Sequence, residues 1–248
     1  MIDTHAHLDA SADGAAALVD RAREAGVTRI VAVGSGIDSC RATLAVAEAN
    51  DEVYAALGIH PHQAGSEEAG RIPELRELLG HERAVAVGET GLDFFRDYAP
   101  HAAQRRLFEE ELILARDLGK PVVVHSRAAD EETAQALAGF DGTVVLHCFS
   151  SPRLLPVALD RGYYVSFAGN VTYPKAEELR TAAAAVPAER ILAETDTPYL
   201  APQPVRGRDN EPANVVHTLE ALANARGEDR QALEAQIESN AAAAFGLS

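Results

Sequence analysis

Apolar residues in this chain come in short bursts separated by longer amphipathic stretches. Eight runs of small and β-branched apolar residues follow one another along the sequence: "MIDTH", "RIVAVG", "VYAALGIH", "AVAVGE", "PVVVH", "TVVLH", "YYVSF" and "RILAE". Apolar runs of this length, enriched in Val and Ile, are what strands covered on both faces require. The intervening stretches "GAAALVDRAREAG", "CRATLAVAEAN", "AQRRLFEEELILARDLG" and "AEELRTAAAAVP" are built from good helix formers with apolar positions at helical spacing. Strand and helix in strict alternation predict a parallel sheet, and eight such units predict an α/β fold of the (β/α)8 TIM barrel type, in one domain spanning 1–248. The alternative is an open doubly wound sheet. That fold usually places a glycine-rich phosphate loop after its first strand, and "MIDTHAHLDA" contains none.

Polar residues interrupt the pattern at one recurring place. His5, His60, Glu89, His125, His147 and Asp196 each stand at or just past the C-terminal end of an apolar run. In a barrel those ends share one rim, the face on which such folds carry their active sites. His5 and His7 add a local signal: residues two apart in an extended strand point to the same face, so the two imidazoles form a chelating pair.

Charge and cysteine usage narrow the possibilities. The chain has 38 acidic and 22 basic residues, a net charge of -16. This excludes the broad basic footprint on which sequence-independent nucleic-acid binding normally rests, so a phosphate-bearing substrate has to be held locally, by bound divalent cations and a few arginines. Cys40 and Cys148 lie too far apart in sequence for a disulfide framework, which fits a reducing compartment. With no apolar run of 18 residues and no basic segment ahead of an apolar one at the N-terminus, the expectation is a soluble cytoplasmic protein with no membrane partner.

The stretches "DTHAHLD", "GIHPH", "GETGLDF", "PVVVHSR", "LHCFS", "SFAGNVTYP", "ETDTPYLAPQP" and "RGRDNEP" occur in an order and at a spacing that resemble the TatD family of metal-dependent hydrolases, amidohydrolase-like barrels, over nearly the whole chain. The resemblance implies a metal cluster held by His5, His7, Glu89, His125, His147 and Asp196. It also implies hydrolysis of DNA phosphodiesters, as a 3'-5' exonuclease, an abasic-site endonuclease or both. Imidazoles and carboxylates together suit two or more divalent ions of Zn, Mn, Co or Mg, and a carboxylate bridge holds two cations about 3.5 to 4 Å apart for in-line displacement, with Glu89 the candidate bridge. Two departures from the family pattern stand out. Ser151 replaces a usual glycine after "LHCFS", and Ala128 with Ala129 replaces Asp-Ala after "HSR". Glycine allows backbone angles that serine disfavours, so these loops are where the pattern is least secure.

Roles follow for individual residues. His5 and His7 are assigned to one cation, and His125 and His147 to the second. Asp196 fits both a metal ligand and the acceptor of a proton from attacking water; its structural alternative is a turn or cap aspartate before Pro198. His60 and His62, separated by Pro61, read as substrate contacts, with His62 placed to protonate the leaving group; their alternative is a turn-stabilising pair. Arg206, Arg208 and Asn210 lie on a loop past the last strand, where guanidiniums beside an anionic site would clamp phosphate, and Arg127 is a further clamp; the alternative is a solvated charged loop. Asp93 is either a group that orients a ligand histidine or a structural cap. The expected reaction is two-metal phosphodiester hydrolysis of single-stranded DNA or DNA with a free 3' end. Amide or ester hydrolysis, including deacylation of aminoacyl-tRNA, would use the same ligands. A non-catalytic metal-binding barrel is a third reading, which the intact Glu89 and Asp196 argue against.

Overall fold

A computed structural model describes residues 1–10, 13–96 and 98–247. All eight apolar runs are strands: β1 (Ile2–Ala6), β2 (Arg29–Ser35), β3 (Val53–Gly58), β4 (Ala84–Asp93), β5 (Val122–Arg127), β6 (Val144–Leu146), β7 (Tyr164–Phe167) and β8 (Ile191–Ala193). They form one parallel sheet in sequence order. Beyond the last ladder, β1 and β8 meet through an Ala6–Thr197 bridge, with the His7 amide donating to Thr197 O at 2.9 Å and the Asp196 amide to His5 O at 2.9 Å. The barrel therefore closes at the rim, through the residues that follow β8.

The four helical stretches read from sequence are α1 (Ala15–Glu24), α2 (Ile37–Ala49), α4 (His101–Leu118) and α7 (Glu177–Ala185). The remaining helices are α3 (Ile72–Leu79), α5 (Asp130–Leu137), α6 (Leu155–Asp160), α8 (Val215–Arg226) and α9 (Arg230–Phe245). Ile30 to Val33 and Ala55 to Leu57 are fully buried, as strands walled by helices on one side and barrel interior on the other must be. That burial explains why the runs lack the polar alternation of a half-exposed sheet.

Two strands carry irregularities that matter for the rim. The register of β1 against β2 slips between Asp3 and Ala6, and that of β4 against β5 slips between Val87 and Thr90. His5 falls inside the first irregularity and Glu89 inside the second. Such breaks re-aim a side chain that a regular pleat would send elsewhere. β4 is also longer than its apolar run: Thr90 to Asp93 continue the ladder, paired with Val124 to Arg127. Gly91 makes this possible, since at φ 131° a Cβ there would lie 2.1 Å from His125 O. Gly88, at φ 146°, meets Val123 O at 2.6 Å in the same way. Both glycines of "GETG" are thus dictated by how closely β4 approaches β5.

α4 holds this region in place. Gln104, Leu107, Phe108, Glu111, Leu114 and Ala115 form its buried face. Gln104 Oε1 accepts from the Asp93 amide at 2.8 Å, and its Nε2 donates to Asp93 O and Ala99 O at 3.0 Å. One carboxylate oxygen of Glu111 accepts from the Ile59 amide at 2.8 Å, and the other meets Thr90 Oγ1 at 2.5 Å. Two polar side chains within an otherwise apolar stripe tie the ends of β3 and β4 to one helix.

Burial raises the Glu111 pKa from 4.5 to about 8; neighbouring Glu110 adds to the rise, while the bonds to Thr90 and Ile59 oppose it. Between pH 4.5 and 8 the folded chain therefore keeps a proton on Glu111 that the unfolded chain releases, so this group's contribution falls as pH rises through that window. Glu111→Gln preserves both hydrogen bonds without an ionisable group. Wild type is expected to lose up to about 1.4 kcal/mol per pH unit relative to the variant across the window, roughly 3 to 6 °C in Tm per unit. Parallel thermal melts from pH 5 to pH 8 check this, and parallel curves for the two proteins would remove Glu111 as a titrating group.

Candidate metal centre

Five strands deliver one polar side chain or more to a common point at the C-terminal rim. His5 comes from the end of β1 and His7 from just beyond it, Glu89 from the irregular step of β4, His125 from β5, His147 from the residue after β6, and Asp196 from three residues past β8. Glu89 lies at the centre and is 3 % exposed. Its Oε1 faces His147 Nε2 at 2.8 Å, His125 Nδ1 at 2.9 Å and His60 Nε2 at 3.4 Å. Its Oε2 faces His7 Nε2 at 3.4 Å and His5 Nε2 at 3.7 Å. Asp196 Oδ1 closes this second set, 3.7 Å from His7 Nε2 and 3.9 Å from His5 Nε2. The two oxygens of a single carboxylate thus address two histidine groups, His125, His147 and His60 on one side and His5 with His7 on the other.

Three groups of donor atoms each fall within 4.8 Å of one another: His5, Glu89 and His147; His5, His7 and Asp196; and His60, Glu89 and His125. The chemistry of this set fits divalent cations. Ring nitrogens point at each other, His5 Nε2 at His7 Nε2 across 3.2 Å and His125 Nδ1 at His147 Nε2 across 3.4 Å. The rings of His5 and His147 are stacked with centroids 3.9 Å apart. Glu89, Asp93, Glu194 and Asp196 are all buried here, and buried ionised carboxylates need compensating positive charge. His60 lies closer to the ligand set than its sequence position alone indicates. It caps the turn through Pro61, and its side chain joins the ring of nitrogens around Glu89.

The protonation pattern follows from burial and these partners. Burial, with the charge of His147, lowers the His5 pKa to about 4, which leaves it a neutral nitrogen ligand near pH 7. Burial alone would lower His147 as well, but the Glu89 and Glu194 carboxylates outweigh it and hold His147 well above its ordinary value. Burial also opposes ionisation of Glu89, yet the surrounding histidines keep it well below the usual carboxylate range. At Asp196 burial wins and raises the pKa to about 6.

A layer of side chains behind the cluster fixes its rings. Glu194 Oε1 lies 3.1 Å from His147 Nδ1 and accepts from the Cys148 amide at 2.7 Å. Asp93 Oδ2 lies 2.8 Å from His62 Nε2 and 3.3 Å from His125 Nε2, while its Oδ1 accepts from the amides of Phe95 and Arg96. Asp93 is thereby both a capping group and an orienting one. Asp3 accepts from the amide and hydroxyl of Thr195 at 2.9 and 2.6 Å, locking the strand that leads to Asp196. Asp3 and Glu194 were not singled out from sequence; the available signal was a carboxylate inside an apolar run, at "MIDTH" and "RILAE".

The expected substrate contacts divide. Arg127 is exposed, its guanidinium stacked 4.1 Å over the Phe95 ring. Arg206 is exposed and bonded to the Tyr173 hydroxyl at 2.6 Å, and Arg208 is exposed on the same loop. Asn210 has no group left for substrate. It is 1 % exposed, its Nδ2 donates to Thr195 O and Tyr199 O, and its Oδ1 accepts from Glu211 N and Asn214 Nδ2. Its position in "RGRDNEP" belongs to the loop that supports Asp196. Ser151 takes φ -119°, a conformation open to any residue, and its hydroxyl donates to Asp130 Oδ1 at 2.6 Å, so glycine is not required there. Ala128 does adopt φ 54°, the left-handed region, which costs an alanine roughly 1 to 2 kcal/mol.

A parallel eight-stranded barrel with histidines and carboxylates converging on one carboxylate at its C-terminal rim is the layout of a metal-dependent hydrolase barrel. The chain belongs to the TatD related DNase family, whose family model matches residues 2–246. It is 40 % identical over 260 residues to the uncharacterized metal-dependent hydrolase TatD of Mycobacterium tuberculosis, covering 100 % of this chain and 98 % of that protein. It is 38 % identical over 240 residues to the 3'-5' ssDNA/RNA exonuclease TatD of Pantoea ananatis, covering 93 % and 92 % respectively. The crystal structure of YJJV, a TatD homologue from Escherichia coli K12, superposes with a TM-score of 0.93 at 31 % identity, over 100 % of this chain and 98 % of that one. No helix among the described residues is long and apolar enough to cross a membrane.

Glu194→Gln leaves the His147 Nδ1 contact in shape but removes the negative charge that fixes the ring and raises its basicity. Zinc or manganese is expected to bind this variant about 10- to 100-fold more weakly than wild type, read by competition with a chromogenic chelator. Equal affinities would show that Glu194 does not act through His147.

Proposed function

We propose that the protein is a phosphodiesterase that removes nucleotides from the 3' end of single-stranded nucleic acid, using at least two divalent cations at the Glu89 centre. The observation that carries this reading is the division of labour at Glu89, whose Oε1 meets His125 and His147 at 2.9 and 2.8 Å while its Oε2 turns toward His7 and His5. A carboxylate so placed suits a bridge between two ions about 3.5 to 4 Å apart. The relative named as a 3'-5' ssDNA/RNA exonuclease supports the substrate class.

His5, His7 and Asp196 would hold one cation and His125 with His147 the other, Glu89 serving both; His60 faces the same Glu89 oxygen and is open to a further ion or to substrate. Divalent cations bound there would make water acidic enough to supply a nucleophile near neutral pH and would neutralise charge developing on the phosphoryl oxygens. Asp196 stands at the edge of the cluster, placed to take up the proton released from the nucleophile. His62, hydrogen-bonded to Asp93 and partly exposed, faces outward where a leaving sugar oxygen would be protonated. Arg127, at the end of β5, and Arg206, on the loop past β8, are exposed and supply positive charge for phosphate in an otherwise acidic protein.

A time course on single-stranded oligonucleotides labelled at the 5' end tests the proposal. The expected result is a ladder that shortens one nucleotide at a time from the 3' end, stops with chelator, and resumes when manganese, magnesium or zinc is restored. Glu89→Gln should lower kcat by at least about 100-fold, the scale of losing an electrostatic group at the reacting centre, with the fold intact by circular dichroism. An intact strand with every divalent metal, together with cleavage of a small ester, amide or aminoacyl-tRNA, would replace phosphodiester hydrolysis with acyl hydrolysis.

A further inference from the structure

The exposed large apolar side chains among the described residues are Phe95, Tyr98, Ile113, Leu159 and Tyr199. Ile113 and Leu159 lie on the outer faces of α4 and α6, where isolated apolar residues are ordinary surface. Two of the three aromatic ones pack against histidines at the rim, and the third, Phe95, follows closely on Asp93, to which its amide donates. Tyr199 is 57 % exposed and packs edge-on against His7, ring centroids 6.0 Å apart. Tyr98 is 64 % exposed and packs edge-on against His62 at 4.8 Å. Phe95 is 61 % exposed and carries the Arg127 guanidinium 4.1 Å over its ring.

Their placement is two-sided. Tyr199 adjoins His7, which belongs to the Oε2 side of Glu89. Tyr98 adjoins His62, which shares Asp93 with His125 on the Oε1 side. Packing against an imidazole at one edge steadies each ring while leaving much of it open to solvent.

We infer that these rings are stacking platforms for nucleobases: Tyr199 receives the base on one side of the scissile phosphate, and Tyr98 with Phe95 receives a base on the other. This rests on the phosphodiesterase reading and deepens it by naming what grips the strand. Three physical arguments lead there. A net charge of -16 leaves few phosphate contacts to hold a polyanion, so affinity has to come from another source. Stacking on aromatic rings supplies it without sequence preference, since every base has a π face. The Arg127 guanidinium over Phe95 adds a cation beside the ring, a pairing suited to a base with its phosphate attached. A duplex keeps its bases stacked on one another and does not offer them to a rim, so the same rings select for an unpaired end.

The test uses metal-loaded protein and two single-stranded oligonucleotides, one with ordinary bases throughout and one whose last three 3' residues are base-free tetrahydrofuran units. For wild type the base-free end should raise KM. Phe95→Ala, Tyr98→Ala and Tyr199→Ala should each raise KM for the ordinary strand by about 5- to 150-fold, the loss expected for one stacked base, with kcat within about threefold. KM for the base-free strand should move less than twofold, and Tyr98→Phe and Tyr199→Phe, which keep the ring, should behave as wild type. As a readout independent of turnover, 2-aminopurine at the terminal 3' positions of a phosphorothioate strand should be quenched on binding wild type and not on binding the alanine variants. Equal KM values for the two strands in wild type, or equal shifts for both strands in the variants, would overturn the stacking role while leaving phosphodiester hydrolysis standing. Absence of both cleavage and quenching would overturn the two together.

Discussion

Glu89 is a carboxylate at the bottom of a barrel mouth, almost out of reach of solvent, and burying such a group alone is among the most expensive things a protein can do. Its two oxygens are met instead by a ring of nitrogens from His5, His7, His60, His125 and His147. Much of the remaining architecture of this face serves that arrangement. The register slips in β1 and β4 turn His5 and Glu89 inward, and the glycines on either side of Glu89 let β4 lie against β5 closely enough for His125 to reach it. Closure of the barrel through Ala6 and Thr197 brings Asp196 to the same point.

The carboxylates behind the cluster are as important as those within it. Asp93, Glu194 and Asp3 each accept at least two hydrogen bonds, at least one of them from backbone, and two of them also grip an imidazole. A histidine ring held on its far nitrogen has one tautomer and one orientation, and its near nitrogen is left free for a cation. Gln104 and Glu111 extend the same logic one layer further out, from α4 to the backbone of Ile59, Thr90 and Asp93. The centre is therefore supported from β1, β4 and α4, with the loop through Asn210 holding the segment that carries Asp196.

Electrostatics divides the molecule into two regimes. The net charge of -16 repels a polyanion at long range, while exposed Arg127, Arg206 and Arg208 and the exposed rings of Phe95, Tyr98 and Tyr199 lie at the end of β5 or on loops at the rim, where bound cations would reverse the field. A protein built this way offers a polyanion one point of attraction instead of an extended basic track.

Much of this was legible in the sequence. The eight apolar runs marked the eight strands because a strand buried on both faces has no choice but to be apolar throughout, and His5, His7, Glu89, His125, His147 and Asp196 were visible as polar residues breaking those runs. What sequence could not convey depends on which atoms face each other across chain separations of dozens of residues or more. His60 read as a substrate contact, and its approach to Glu89 shows only in the fold, while Asn210 looked like a substrate contact until burial showed its amide committed to Thr195 and Tyr199. Glu194 and Asp3 sit within apolar runs, where a lone carboxylate has no interpretation without its partners. Periodicity and residue type are one-dimensional properties, so they determined the barrel and its rim; the roles of individual polar groups depend on direction and distance in the folded chain, and only the tertiary structure decided them.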